Sequence, residues 1–230
     1  MWDFNLNKTA LALFIVGMLI LCVLAGTAYM MGQSSQKSIR VACVGDSLTE
    51  GTEYTYQLAC KLGRNYSLYN FGVGGTTVTL ASHSPYMDTL AFQDVLDFKP
   101  HIVIIMLGTN DAQPILSQYS STFVDDYITL IQAFQDLPDN PDIWLVLPPP
   151  IFSNNFGHLD HEYFEQIILS GIKQVGNKTS LPVIDVYSLL LDYSDCFPDG
   201  VHPENTPGNW GNEPVAQIIA TTIYNAIIKQ

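Results

Sequence analysis

Five short apolar runs constrain this chain more than any other feature: Ile39–Val44, Ser67–Phe71, Ile102–Leu107, Ile143–Leu147 and Val183–Val186. Runs of this length and character suit strands buried on both faces. Helical patterns separate them, near Tyr54–Leu62, Thr89–Asp97, Ser121–Leu137 and Glu162–Asn177, with a last one near Pro214–Ile228. Such alternation predicts one parallel sheet covered by helices on both sides. Right-handed crossovers then give an α/β fold, a three-layer α/β/α sandwich with a five-stranded sheet. A chain of 230 residues suits one such domain, and no internal repeat or second domain is evident. In these sheets, reactive groups gather at the carboxyl ends of the strands, so the loops after the runs are where chemistry is expected.

The formal charge of −13, with only nine Lys and Arg in all, argues against nucleic acid as a partner. A phosphate backbone is bound by clustered basic residues, and here they are few and scattered. The same field repels polyanionic substrates while leaving neutral esters admissible. Four cysteines are too few for a disulfide framework. Cys43 and Cys60 are expected as two buried thiols, with a disulfide between them as the alternative. No C-x-x-C pair or His/Cys cluster suggests a metal.

Residues 9–31 form an uncharged apolar run, about the ~20 residues that a membrane helix needs. It reads either as a signal peptide, with a small-residue pattern ending at Ala28, or as a membrane anchor. The expected layout is therefore a targeting segment over 1–31, a polar linker over 32–38 and a catalytic domain over 39–230. The catalytic domain would then lie outside the cytoplasm, secreted or held at a membrane.

Four motifs stand after the strands. Gly45-Asp46-Ser47-Leu48-Thr49 ends the first, placing a serine at the start of the next helix, where its backbone N–H can face an oxyanion. Capping is the plainer reading of Asp46 and Ser47. Asn70-Phe71-Gly72-Val73-Gly74-Gly75-Thr76 is a glycine-dense turn able to present backbone amides to an anion. Thr77 stands where a dinucleotide fingerprint needs its third glycine, and the turn follows the second strand, not the first. A turn requiring positive φ at Gly72 and Gly74 is the plainer reading. Leu107-Gly108-Thr109-Asn110-Asp111 offers an amide donor after the third strand. Asp199-Gly200-Val201-His202-Pro203 puts an acid and an imidazole three apart on a tight loop, where the acid can orient the ring. His158 and His161 lack a third ligand and are expected at a polar lid or helix start.

These four blocks, in this order, resemble the SGNH (GDSL) hydrolase superfamily, and the match runs from Val41 to the C-terminus. The resemblance implies a flavodoxin-like sandwich with Ser47 as nucleophile, His202 as base and Asp199 as its orienting acid. It implies an oxyanion hole from the N–H groups of Ser47 and Gly75 and the side chain of Asn110, Gly74 being the substitute if the turn is offset. No metal or organic cofactor is implied. The extended stretch Glu204 to Asn212, including Trp210, departs from the family's short final loop and could shape a subsite. The wording Ile105-Met106-Leu107-Gly108-Thr109-Asn110-Asp111 is similar to carbohydrate and sialate O-acetylesterase-like members. The expected function is thus ester hydrolysis, with a small-molecule or glycan ester as substrate and O-deacetylation of a carbohydrate as the leading reading. A lysophospholipase or lipid thioesterase is the enzymatic alternative. A dead glycan-binding module is the third, against which the intact Ser47, Asp199 and His202 all count. The absence of G-x-S-x-G argues against an α/β-hydrolase elbow.

Overall fold

A computed structural model describes residues 11, 13–23, 38–153, 156, 158–204 and 214–228. The chain divides into two units, Met1–Lys37 and Ser38–Gln230. In the first, residues 13–23 are helical. Among the described residues no helix is long and apolar enough to cross a membrane. Residues 24–31, with the Ala28 pattern, and 205–213, with Trp210, lie outside the described set.

The second unit contains the expected sheet. Its strands are β1 (Ile39–Gly45), β2 (Tyr66–Gly72), β3 (Ile102–Met106), β4 (Asp142–Leu147) and β5 (Val183–Asp185). All pair in parallel, in the order β2-β1-β3-β4-β5. The helices are α1 (Ser47–Glu50), α2 (Tyr54–Leu62), α3 (Leu90–Phe98), α4 (Phe123–Gln135), α5 (Leu169–Thr179) and α6 (Pro214–Ile228). The helix expected over Glu162–Asn177 is built in pieces, a turn at His161–Tyr163 and a π-helical Phe164–Ile168 preceding α5. His161 is at a helix start as expected, where Asp160 caps the turn by accepting from Tyr163 N–H at 3.0 Å.

Side-chain alternation along the strands builds two cores. Ala42, Val44, Val103, Ile105, Ile143, Leu145 and Leu147 face α3, α4 and α5. Val41, Cys43, Ile104, Met106, Trp144 and Val146 face α2 and α6. Because successive residues of a strand point to opposite faces, an unbroken apolar run such as Ile102–Met106 serves both layers at once. β2 and β5 are the exceptions: they are the two edges of the sheet, and Tyr69, Asn70 and Asp185 are exposed. The expectation of burial on both faces fails there because each has a neighbouring strand on one side only.

Register sets the site. Gly45 pairs with Gly72 on one side and with Met106 on the other. The carboxyl ends of β1, β2 and β3 are therefore level, and the three loops that follow them leave the sheet side by side. The chain winds from β1 outward to β2, then crosses back to β3, so this rim is the sheet's topological switch point.

Candidate active site

Ser47 is the first residue of α1. Asp46 caps it, its carboxylate accepting from Leu48 N–H at 2.9 Å, and Ser47 is left half-buried. The Ser47 hydroxyl lies 2.7 Å from His202 Nε2. On the other side of the imidazole, His202 Nδ1 lies 2.8 Å from Asp199 Oδ2. The second oxygen, Asp199 Oδ1, accepts from the amides of Val201 at 2.8 Å and His202 at 2.7 Å. Partial burial works to raise the Asp199 pKa, but these hydrogen bonds outweigh it and hold the carboxyl below its ordinary value. An ionised carboxylate can only accept, so Nδ1 carries the ring proton and Nε2 is left free to accept from the serine. The loop is fixed by Gly200, at φ 83°, whose carbonyl accepts from Phe152 N–H at 2.7 Å. Phe156 meets the His202 ring edge-on, centroids 4.7 Å apart.

The glycine loop packs directly on α1. A Cβ at Gly72 would lie 2.3 Å from the Glu50 amide nitrogen, and one at Gly74 would lie 2.7 Å from Glu50 Oε2. Space, not φ, thus requires Gly72, where the neighbour is backbone, whereas at Gly74 it is the end of a side chain that can move. The positive φ falls at Gly75, at 77°. Gly74 N–H is already committed to Glu50 Oε2 at 2.8 Å, so it is not available to stand in for Gly75. Among the described residues, the N–H groups of Ser47 and Gly75 make no hydrogen bond. Asn110 Nδ2 donates to the Thr76 carbonyl at 3.0 Å, which fixes which end of its amide is the donor and leaves a second N–H uncommitted. The rim therefore holds a hydrogen-bonded row of Ser47, His202 and Asp199 beside three uncommitted N–H donors. This arrangement suits attack on a carbonyl with an oxyanion to be held.

Beneath the rim are two buried carboxyls. Asp111 accepts from Val78 N–H at 2.9 Å, Thr79 N–H at 2.8 Å and the Thr79 hydroxyl at 2.6 Å, tying the third motif to the end of the glycine loop. Burial still pushes its pKa up to about 6. Burial, reinforced by the Asp111 charge, pushes Asp46 up to about 7. Asp46 Oδ2 and the neighbouring Thr109 hydroxyl are both buried without a normal hydrogen bond among the described residues. An acid whose pKa is raised by folding binds its proton more tightly in the folded state. Its stabilisation is complete below the unfolded value and is lost as pH rises through about 7. Asp46→Asn keeps an acceptor for Leu48 and cannot ionise. Its melting temperature should exceed that of the wild type near pH ~8 and match it near pH ~4, by linkage. An equal difference at both pH values would show that Asp46 does not titrate in this range.

The GDSL-like Lipase/Acylhydrolase family model matches residues 43–206. The chain belongs to this family. An acetylxylan esterase of Xylanibacter ruminicola is 35% identical to this GDSL-family chain over 214 residues, covering 82% of the chain and 44% of the relative. The chain thus spans less than half of that relative's length. An acetyl xylan esterase, AlAXEase, shares the fold at a TM-score of 0.64 and 21% identity, covering 83% of this chain and 100% of its own. Est24, a carbohydrate acetylesterase from Sinorhizobium meliloti, does so at 0.59 and 19%, covering 82% and 97%.

In this GDSL-family chain all five residues singled out from sequence reach one rim. Sequence reasoning missed Glu50, Asn70 and Thr76, which orient them. Glu50 sits three residues after Ser47, one turn along α1, and that spacing could have suggested that it reaches the next loop. Asn70 donates to the Thr49 carbonyl at 2.7 Å and accepts from Gly72 N–H at 2.9 Å. Its Asn-x-Gly wording is the signature of an Asx turn. Thr76 acts through its carbonyl, for which a sequence carries no signal. Cys43 is buried as expected, but Cys60 is exposed, and both are free thiols. Cys60 lies on the outer part of α2, away from the sheet-facing residues Tyr54, Leu58 and Leu62.

Proposed function

We propose that this chain is a serine esterase acting through an acyl-enzyme, and that it removes acetyl groups from a carbohydrate. The observation that carries the reading is the Ser47–His202–Asp199 row, at 2.7 and 2.8 Å, beside the uncommitted N–H groups of Ser47, Gly75 and Asn110. His202 Nε2 takes the Ser47 proton as the hydroxyl attacks the acyl carbonyl. The three donors receive the tetrahedral oxyanion. The protonated ring then gives its proton to the departing alcohol, and the same ring activates water to release acetate. The acetyl preference is supported by the acetylxylan esterase relative and by the likeness in fold to a carbohydrate acetylesterase. Residues 9–31 would carry the chain out of the cytoplasm or hold it at a membrane, a role read from their uncharged sequence. Fractionation of the full chain against one lacking them tests that role.

Substrate class is tested with p-nitrophenyl esters of rising chain length beside acetylated xylo-oligosaccharides. Acetyl esters should be hydrolysed fastest, with acetate released from the sugars. An enzyme with a long acyl trough would gain about 0.8 kcal/mol for each methylene it buries. Rates climbing from acetyl to octanoyl, with no acetate from sugars, would reject the carbohydrate reading in favour of a lipid hydrolase.

A further inference from the structure

Resting on the esterase reading above, we propose that the cavity beside Asp199 binds the alcohol half of the substrate and selects a neutral pyranosyl unit over a uronate or sialate. The alcohol oxygen must take its proton from His202 Nε2, so it departs on the imidazole side of Ser47, away from the Gly75 and Asn110 donors. The group against that imidazole is Phe156, edge-on at 4.7 Å. Phe156 also lines a cavity of about 420 Å³ together with Ser153, Ser194, Asp195, Asp199 and Gly200. That volume is in the range of small-ligand sites.

The lining is matched to a sugar. A half-exposed aromatic ring offers a surface for the C–H face of a pyranose, and the Ser194 hydroxyl and the Asp195 carboxylate offer partners for its hydroxyls. Among the described residues the lining includes no Lys, Arg or His, while it includes two carboxylates, Asp195 and Asp199. Asp199 stays ionised because its hydrogen bonds to His202 hold its pKa down. A substrate carboxylate brought here would lose water, meet like charge and find no cation.

Ser194 and Asp195 are exposed, so both can be replaced without disturbing the core. Four substrates suffice: acetylated xylobiose, an acetylated methyl glucuronoside, ethyl acetate and ethyl butyrate, the last two with an alcohol too small to fill the cavity. Ser194→Trp fills the cavity and should lower kcat/KM for acetylated xylobiose, relative to ethyl acetate, by at least about tenfold, mainly through KM. Asp195→Lys should raise the glucuronoside-to-xylobiose ratio by about tenfold, the scale of one charge reversed at a contact. In a second measurement, the Ser47→Ala chain is titrated with deacetylated xylobiose and with methyl glucuronoside, following the His202 ring resonances by NMR. Xylobiose should shift them and the glucuronoside should not. Equal losses on all four esters, or a Ser194→Trp loss that deepens from acetate to butyrate, would overturn the subsite by assigning the cavity to general integrity or to the acyl chain. Acetate released from the sugars at unchanged ratios overturns the subsite alone. Hydrolysis of ethyl acetate with no acetate from any sugar overturns the carbohydrate function as well.

Discussion

Replacing Ser47 by alanine is expected to lower turnover by on the order of 10⁶, the loss typical of removing the nucleophile of a triad. The melting temperature should not change. Ser47 is half-buried, and its hydroxyl bonds only to His202 Nε2 among the described residues, so its loss opens no sealed cavity and orphans no buried donor. Residual activity would come from binding and from the oxyanion donors, whose N–H groups the substitution leaves in place. A fluorophosphonate probe should label the wild type at Ser47 and leave the variant unlabelled. Hydrolysis by purified Ser47→Ala protein within tenfold of the wild type, or labelling of another serine, would sink the assignment.

Asp199→Asn should cost roughly 10⁴ in turnover with little change in fold, as for a triad acid converted to its amide. The structure gives the reason. Oδ1 of Asp199 holds the Val201 and His202 amides, an acceptor role that an asparagine carbonyl retains. The other position faces His202 Nδ1, where an amide NH₂ can only donate. The ring proton would then be driven to Nε2, the atom that must accept from Ser47. The variant would keep the loop and lose the base. Turnover above a tenth of the wild-type value would mean that Asp199 is a loop brace and not the orienting acid.

What the sequence made legible follows from where its physics is local. The strands could be placed because burial on both faces forces unbroken apolar runs, and α2 because its periodicity is plain between polar flanks. The site residues were legible because each motif follows a strand and parallel sheets bring strand ends together. Legibility ended where a residue's role depends on what another segment brings beside it. Gly72 reads as a turn glycine, yet what it answers is the backbone of Glu50, more than twenty residues upstream. β2 read as interior because Tyr69 and Phe71 are as apolar as a core residue, but only the strand order makes it an edge. The orientation of the Asn110 amide rests on the Thr76 carbonyl, 34 residues away, and no side chain in the motif encodes it.

The bond between Ser47 and His202 joins residues 155 apart in the chain. Its two ends are held differently. Ser47 leaves the central part of the sheet, between β2 and β3, whereas His202 rides on a loop beyond the last strand. That loop is tied by backbone bonds from Phe152 to Gly200, from Gly200 to Phe197 and from Glu204 to Cys196. It is also pinned in both layers, Val201 being buried in one core and Phe197 in the other. Opening it must draw both side chains out, so its local stability is tied to that of the two cores. On warming, the base would then leave the nucleophile only as the cores open, and loss of activity would coincide with the calorimetric transition.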